Sequence, residues 1–310
     1  MNRSNKFIIG TLLVLLVGCD SLEDKKGRFL LKGNEKLEQN DPKSAIGFYN
    51  EAIALDSTYA VAYYNKAMAH LRLNQLEETI TDLNKAIQFK PEYFDALFQR
   101  GLSFLDNGEF YKAREDADRL IKLSDTNWKS HFLYGLSQEK LKNFPAALEA
   151  FSKAAQLEPG NSDLLVNQAT ILYYQKQYGS AEEILSKAET INPAEPNLHN
   201  LRSMILFDQK DYPGALASVE KAIALDNRQA YFYNNQGLYL LFLGEPEKAV
   251  ELINQSIQMD SKNPFALRNK GIYYVMKGDK ISALEYLQDL AKNYPEMDLV
   301  QEYFQKAQDL

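Results

Sequence analysis

The chain of 310 residues contains one cysteine, three histidines and one tryptophan. A single cysteine excludes an internal disulfide and a thiolate-rich zinc site, and three histidines leave little for catalytic or metal chemistry. Basic residues are also in the minority, with 35 Lys and Arg against 42 Asp and Glu. This net charge of −7, without a basic tract, argues against a nucleic-acid partner held through phosphate contacts. The composition therefore predicts a non-enzyme without metal or cofactor.

Proline and glycine are scarce as well, with 10 and 15 residues, which is too few for a disordered or fibrous chain. Hydrophobic residues make up 45 %, enough for a sizeable core. At roughly 100–200 residues per compact domain, the length alone predicts two domains unless the chain is a repeat array.

The N-terminus has the layout of an export signal that ends in the cysteine. Arg3 and Lys6 precede an apolar run from Phe7 to Val17, which is shorter than the about 20 residues needed to cross a bilayer. The run ends in Leu16-Val17-Gly18-Cys19, which resembles the lipobox of bacterial lipoprotein signal peptides. The resemblance implies cleavage after residue 18 and acylation of Cys19, for example with palmitate. The alternative is a free cysteine at the end of an ordinary signal peptide.

Loss of residues 1–18 leaves 33 basic and 42 acidic side chains, a net charge of −9, and residues 19–25 then form a short acidic tether. Asp20 directly after the cysteine resembles an inner-membrane retention signal of some bacteria, whereas acidic residues just downstream resemble a surface-export signal of others. The expected location is the bacterial cell envelope, attached to a membrane by lipid. Inner membrane, outer membrane and cell surface all stay open.

A period of 34 residues runs through positions 26–297 without insertions. Its clearest column consists of small residues: Gly33, Ala67, Gly101, Gly135, Ala169, Ser203, Gly237 and Gly271. Two further columns, mostly alanine, follow twelve and nineteen residues after the first. Small residues let two helices approach closely, while apolar residues at helical spacing and Asn, Asp, Gly and Pro in mid-unit predict a helix, a turn and a second helix. The predicted units are 26–59, 60–93, 94–127, 128–161, 162–195, 196–229, 230–263 and 264–297.

This pattern resembles the tetratricopeptide repeat, in which an aromatic residue or leucine, Leu-Gly and Tyr are followed by Ala, an aromatic residue, Ala and Pro at fixed offsets. The resemblance implies an all-α fold, a right-handed α-solenoid of about eight helix–turn–helix repeats. The first unit has Lys32 and Lys36 at usually apolar positions, so it is either a true repeat or a cap. Residues 298–310 predict a C-terminal capping helix whose apolar face comprises Leu299, Val300, Tyr303, Phe304, Ala307 and Leu310.

In this family the first helices line a concave wall that binds peptides, and its positions transfer to this chain. One row resembles the asparagine ladders that hold a peptide backbone, although asparagine is also common there for other reasons; it consists of Asn65, Asn167, Asn235 and Asn269. The neighbouring wall positions predicted to bind a partner are Tyr64, Phe98, Phe132, Tyr173, Phe207, Tyr231, Phe265 and Arg268. A clamp for a carboxylate is not expected, because the basic residues of that pattern are missing apart from Arg268.

The sequence thus predicts a membrane-anchored scaffold or adaptor that binds an envelope protein or a peptide segment through the groove and performs no catalysis. The three histidines, His70, His131 and His199, lie in different repeats and are expected to serve packing. A glycan- or nutrient-binding envelope lipoprotein is the alternative, although the lack of long inserted loops disfavours it. Self-association through the groove also stays open.

Overall fold

The computed structural model describes residues 21–310. The predicted signal peptide, residues 1–18, and the predicted lipidation site Cys19 lie outside the described residues. Within residues 21–310 the chain forms seventeen helices and no strand, which confirms an all-α fold of helical repeats. None of the described helices is both long and apolar enough to cross a membrane.

The contacts divide the chain into two compact units, with the boundary after Asp116. Unit 1 contains the described residues up to this boundary, and unit 2 runs from Ala117 to Leu310. The helices of unit 1 are α1 (Leu22–Glu38), α2 (Pro42–Leu55), α3 (Ala60–Arg72), α4 (Leu76–Phe89) and α5 (Phe94–Asp106), and α6 (Phe110–Leu123) contains the boundary. The helices of unit 2 are α7 (Trp128–Lys140), α8 (Phe144–Leu157), α9 (Ser162–Tyr174), α10 (Tyr178–Ile191), α11 (Pro196–Asp208), α12 (Tyr212–Leu225), α13 (Ala230–Phe242), α14 (Pro246–Met259), α15 (Pro264–Lys277), α16 (Lys280–Asn293) and α17 (Val300–Asp309).

The 34-residue period is visible in the helix starts. From α3 to α15 every odd-numbered helix begins 34 residues after the previous one, and from α2 to α16 every even-numbered helix does the same. A turn of two or three residues separates the first helix from the second in each of the eight pairs of the described chain. We call the odd-numbered helices α1 to α15 the first helices and the even-numbered helices the second helices.

A left-handed residue ends each of the eight first helices in the described chain. The residues with positive φ at these turns are Asn40, Asn74, Gly108, Lys142, Lys176, Lys210, Gly244 and Gly278. This conformation folds the chain back so that its N–H groups bond to the last carbonyls of the helix; for example, Asp211 N donates to the carbonyl of Leu206 at 2.9 Å. Glycine adopts it without strain, whereas the three lysines adopt it at a cost.

The small-residue column is the place where paired helices touch. A Cβ atom added at Gly135 in α7 would lie 2.7 Å from the Phe151 ring of α8, and one added at Gly271 in α15 would lie 2.5 Å from Leu287 Cγ of α16. Phe151 and Leu287 are fully buried. The large side chain of the second helix therefore fills the space that the missing side chain of the first helix leaves.

The two ends of the described chain differ from the sequence expectation in detail. Helix α1 begins at Leu22, so residues 22–25 of the predicted tether are helical, because Ser21 and Asp24 form a capping box with reciprocal hydrogen bonds of 3.1 Å. At the other end, α17 buries Val300, Tyr303 and Ala307 as expected for a cap. Leu310 is exposed, because the helix ends at Asp309 before that side chain reaches the apolar face.

Candidate binding face

Four first helices of unit 2, α9, α11, α13 and α15, lie side by side, since α11 contacts both α9 and α13, and α15 contacts α13. Their common surface, the first-helix face, carries most of the predicted binding residues. Their role in binding stays a prediction, and the structure shows the contacts that these side chains make.

Two asparagines of the predicted ladder, Asn235 and Asn269, bond to other asparagines on the preceding first helix. Asn235 Nδ2 donates to Asn200 Oδ1 at 2.9 Å, and Asn269 Nδ2 donates to both the side chain and the main-chain carbonyl of Asn234, at 2.7 and 3.1 Å. Asn269 and Asn234 are buried. The row therefore ties neighbouring first helices together, because each buried amide needs a partner inside the protein.

Arg268 extends this network to the C-terminal segment. Its Nε donates to Asn269 Oδ1 at 2.9 Å and its Nη1 donates to the main-chain carbonyl of Asp298 at 3.0 Å. The side chain is 95 % buried against the Phe265 ring. Burial lowers the pKa of Arg268 to about 10, against the opposing effect of the nearby Asp298 carboxylate. Arg268 thus holds the segment before α17 on the first-helix face.

The other two asparagines of the row make different contacts. In unit 1, Asn65 Nδ2 donates to Asn34 Oδ1 at 2.8 Å, which again joins two first helices. Asn167 Nδ2 instead donates to the carbonyl of Asp163 in its own helix at 2.7 Å and is partly accessible to solvent.

The predicted aromatic residues fall into two groups. Tyr231 and Phe265, in the first turns of α13 and α15, are exposed, and Tyr231 Oη donates to Asn197 Oδ1 at 2.6 Å. The rings of the other group are partly buried, each among side chains of its own unit. They are Tyr64, Phe98, Phe132, Tyr173 and Phe207. Tyr231 and Phe265 are therefore the two predicted rings most accessible to a partner.

Four further residues, at the opposite end of the first helices, could be assigned to the face only from the structure. They are Glu139, Tyr174, Tyr178 and Asp208, which surround the predicted residue Tyr173. Tyr173 and Tyr174 have ring centroids 5.8 Å apart, and Tyr178 Oη donates to Asp208 Oδ2 at 2.9 Å. The signal was present in the spacing: Glu139 is 34 residues before Tyr173, and Tyr174 is 34 residues before Asp208.

The histidines bond to the protein. His131 Nε2 donates to the carbonyl of Asp125 at 2.8 Å, and His199 Nε2 donates to that of Pro193 at 2.9 Å. His70 lies 2.7 Å from Gln75 Oε1 and 3.5 Å from Asp82 Oδ2. No group of three or more His, Cys, Asp and Glu able to hold a metal ion occurs within residues 21–310.

Four family models, each describing a tetratricopeptide or TPR repeat, match the sequence. Those described as "Tetratricopeptide repeat" match residues 140–205, residues 98–162 and 234–298, and residues 48–81, and one described as "TPR repeat" matches residues 69–108. No curated protein matches the chain in sequence.

Several solved structures are similar in fold. The crystal structure of the APC/C hetero-tetramer Cut9-Hcn1 has a TM-score of 0.69 and 15 % identity and covers 94 % of this chain, which spans 57 % of the matched one. Yeast Tom70 has a TM-score of 0.61 and 18 % identity over 95 % of this chain and 66 % of its own. The pilF protein of Pseudomonas aeruginosa has a TM-score of 0.55 and 21 % identity over 70 % of this chain and 96 % of its own. The repeat matches along the sequence and the paired helices together show that this chain belongs to the tetratricopeptide repeat family.

Proposed function

We propose that this chain is a lipid-anchored scaffold of the bacterial cell envelope that binds another protein, or a peptide segment of one, through its first-helix face. Tetratricopeptide repeats are scaffolds for protein–protein interaction, and this is the general role that the family membership supports. The anchor and the envelope location rest on Leu16-Val17-Gly18-Cys19 at the end of the apolar run.

The observation that carries the binding proposal is a pair of exposed rings on a fixed surface. Tyr231 and Phe265 occupy the same position of neighbouring repeats. Phe265 is 48 % exposed and Tyr231 is 37 % exposed. Phe265 lies against Arg268, which belongs to the buried network with Asn269 and Asn234, and Tyr231 is held by its hydrogen bond to Asn197. Rings held by such a network lose little conformational freedom when a partner covers them, which favours binding.

The start of α1 bears on the proposed anchor. Ser21 caps the helix, so a lipid on Cys19 would be separated from the folded chain by Asp20 alone. At about 3.6 Å per residue, this arrangement would place the start of α1 within about 10 Å of the lipid attachment. The proposal therefore includes a short connection between unit 1 and the membrane.

Site-specific crosslinking in a bacterial host tests the binding face. A photo-crosslinking residue at Tyr231 or Phe265 should capture a discrete envelope protein, whereas the same residue at Glu251, exposed on the second helix α14, should not. The double substitution Tyr231→Ala and Phe265→Ala should abolish co-purification of the captured protein. Equal capture from Glu251 would contradict the use of this face, and binding of an envelope glycan instead of a protein would favour the alternative function.

Metabolic labelling with an alkyne fatty acid tests the anchor separately. The wild-type chain should incorporate the label and sediment with membranes. Cys19→Ser should lose the label and move to the soluble fraction, whereas Ser21→Ala should retain both properties. An unlabelled wild-type chain would rule out the anchor without affecting the binding face.

A further inference from the structure

We infer that Glu139, Tyr173, Tyr174, Tyr178 and Asp208 form a recognition site for a basic side chain, lysine or arginine, of the partner segment. We call these five residues the tyrosine–carboxylate patch. The inference rests on the proposed function, because it describes the partner that the first-helix face of unit 2 accepts.

The patch is assembled from three consecutive repeats of unit 2. Glu139 ends α7, Tyr173 and Tyr174 end α9, Asp208 ends α11, and Tyr178 begins α10. Because the same helix turn recurs every 34 residues, these side chains lie in one row along the ends of the first helices. The row places a pair of tyrosines between two carboxylates.

The rings are fixed by their neighbours. Tyr174 lies against Phe144 with centroids 5.5 Å apart, and Tyr173 lies 5.8 Å from Tyr174 and 6.0 Å from Tyr178. Tyr174 nevertheless remains 44 % exposed. An exposed ring with a supported back offers its face to a cation, and a cation within about 6 Å of an aromatic centroid is attracted to it.

The carboxylates of the patch lack a cationic contact. Within residues 21–310, neither Glu139 nor Asp208 takes part in an ion pair, although carboxylates elsewhere in unit 2 do, such as Glu189 with Arg202. Asp208 accepts hydrogen bonds from Tyr178 and Tyr173 and stays accessible to solvent. Burial raises the pKa of both carboxyls, and it raises the pKa of Tyr174 to about 12.

The charges around the patch do not neutralise it by contact. Lys140 and Lys176 are exposed and act on Glu139 and Asp208 through space. Asp298 is a like charge that raises the pKa of Asp208 further, and the Arg268 guanidinium is held by the main chain of Asp298 and by Asn269. A bound lysine or arginine would give each carboxylate the cationic hydrogen-bond donor that it lacks. An acidic segment would be repelled by the carboxylates, by Asp298 and by the net charge of −9 that remains after loss of residues 1–18.

Peptide binding to the detergent-solubilised full chain tests this inference. The probes are two fluorescently labelled octapeptides, one alternating arginine with glycine and one alternating glutamate with glycine, measured by anisotropy at 0.15 M salt. We expect the arginine peptide to bind and the glutamate peptide not to bind. Asp208→Asn and Glu139→Gln should each weaken binding by about tenfold, which corresponds to the loss of one charge-assisted contact.

Two further variants separate the patch from general electrostatic attraction. Glu251→Gln removes the same charge from an exposed site on α14 and should change the affinity less than twofold. Tyr174→Leu leaves the charge unchanged and should weaken binding about fivefold, because the ring face is lost. Thermal melting of each variant checks that it is folded. If Tyr174→Leu does not fold, the near-isosteric Asp208→Asn still decides the test.

Equal binding of the two peptides, or equal weakening by Glu251→Gln and Asp208→Asn, would overturn the inference. Its failure is distinct from that of the proposed function. Crosslinking from Tyr231 and Phe265 reports a partner whatever its charge, so capture without arginine-peptide binding would reject the patch alone. Arginine-peptide binding that depends on Asp208 and Tyr174, with no capture, would uphold the patch and reject the envelope partner.

Discussion

One position of the first helices is filled by tyrosine or histidine with the same hydrogen bond. Tyr63 and Tyr233 donate through Oη to the carbonyl six residues earlier, at 3.3 and 3.0 Å. His131 and His199 donate through Nε2 to the equivalent carbonyl, at 2.8 and 2.9 Å. A carbonyl can only accept, so Nε2 carries the hydrogen in both cases. These two histidines therefore act as structural donors between a repeat and the turn before it.

His199 should make the stability of the protein depend on pH. Burial lowers the pKa of His199 below its ordinary value of 6.5. As the pH falls below about 6.5, the histidine of the unfolded chain takes up a proton before the folded one does, so the free energy of unfolding decreases until the pH reaches the folded pKa. His199→Tyr should keep the hydrogen bond, as Tyr233 does, and remove this contribution.

Urea denaturation followed by circular dichroism at pH 7.5, 6.5 and 5.5 measures the effect. Wild type and His199→Tyr share every other titrating group, so the difference between their unfolding free energies isolates the histidine. We expect this difference to shift in favour of the variant as the pH falls. A constant difference across the three pH values would show that His199 does not titrate differently in the two states.

The left-handed turn residues predict a stabilising substitution. Lys210 has φ of 66° and an exposed side chain. A residue with a Cβ atom costs roughly 1–2 kcal/mol in this conformation, partly offset by the greater freedom of glycine in the unfolded chain. Lys210→Gly should therefore raise the free energy of unfolding by about 0.5–1 kcal/mol in chemical denaturation. Gly244→Ala, at φ of 80° in the next repeat, is the matched control and should lower it by about 1 kcal/mol.

Between the two helices of a repeat, stability depends on matching a small side chain with a large one. Gly135 faces Phe151, whereas the equivalent residues two helices further on are Ala169 and Leu185, all in unit 2. Gly135→Ala alone should cost about 1–3 kcal/mol, because its Cβ would lie 2.7 Å from the Phe151 ring. The double variant with Phe151→Leu reproduces the natural Ala–Leu pair.

A double-mutant cycle measures this coupling. Phe151→Leu alone should destabilise by leaving a cavity, and the double variant should be more stable than the sum of the two single effects by about 1 kcal/mol or more. If the destabilisation of the double variant equalled the sum of the two single effects, the two helices would move apart to accommodate the added methyl group. Ala169→Gly serves as the control in a repeat where the large partner is already leucine.

Helices and turns could be predicted from the sequence, but the partners of the asparagine row could not. The period fixes which residue types recur at a turn or a helix crossing, because the requirements of a turn or a crossing are local. An asparagine amide, in contrast, bonds to whatever the spacing of the first helices brings within reach. Asn167 therefore bonds within its own helix, while Asn235 bonds to Asn200 of the preceding repeat. In the tyrosine–carboxylate patch the 34-residue spacing relates Tyr174 to Asp208, but the contact between Asp208 and Tyr178 forms only when the repeats stack.

Within unit 2 the repeats contact mainly their neighbours in sequence, so the end of the unit needs a cover for its apolar face. In unit 2 the C-terminal end is covered by α17, whose apolar face was predicted from the spacing of Val300, Tyr303 and Ala307. The spacing could not predict where this face docks. Tyr303 lies with its ring centroid 6.5 Å from Phe242 of α13, 61 residues earlier, and belongs to the same buried cluster as Leu287 of α16.

This docking predicts that damage to the cap spreads a limited distance. Tyr303 is 5 % exposed, and Tyr303→Ala should cost about 3 kcal/mol by leaving a cavity against α13 and α16. In a linear array the loss should open the nearest repeats first, because each repeat is stabilised by its own neighbours. Amide hydrogen exchange followed by mass spectrometry should show faster exchange in α15 to α17 and unchanged exchange in α7 to α9. Gln308→Ala, exposed on the same helix, should alter neither region. Uniformly faster exchange across unit 2 would instead show that the whole unit unfolds in one cooperative step and that its repeats do not open separately.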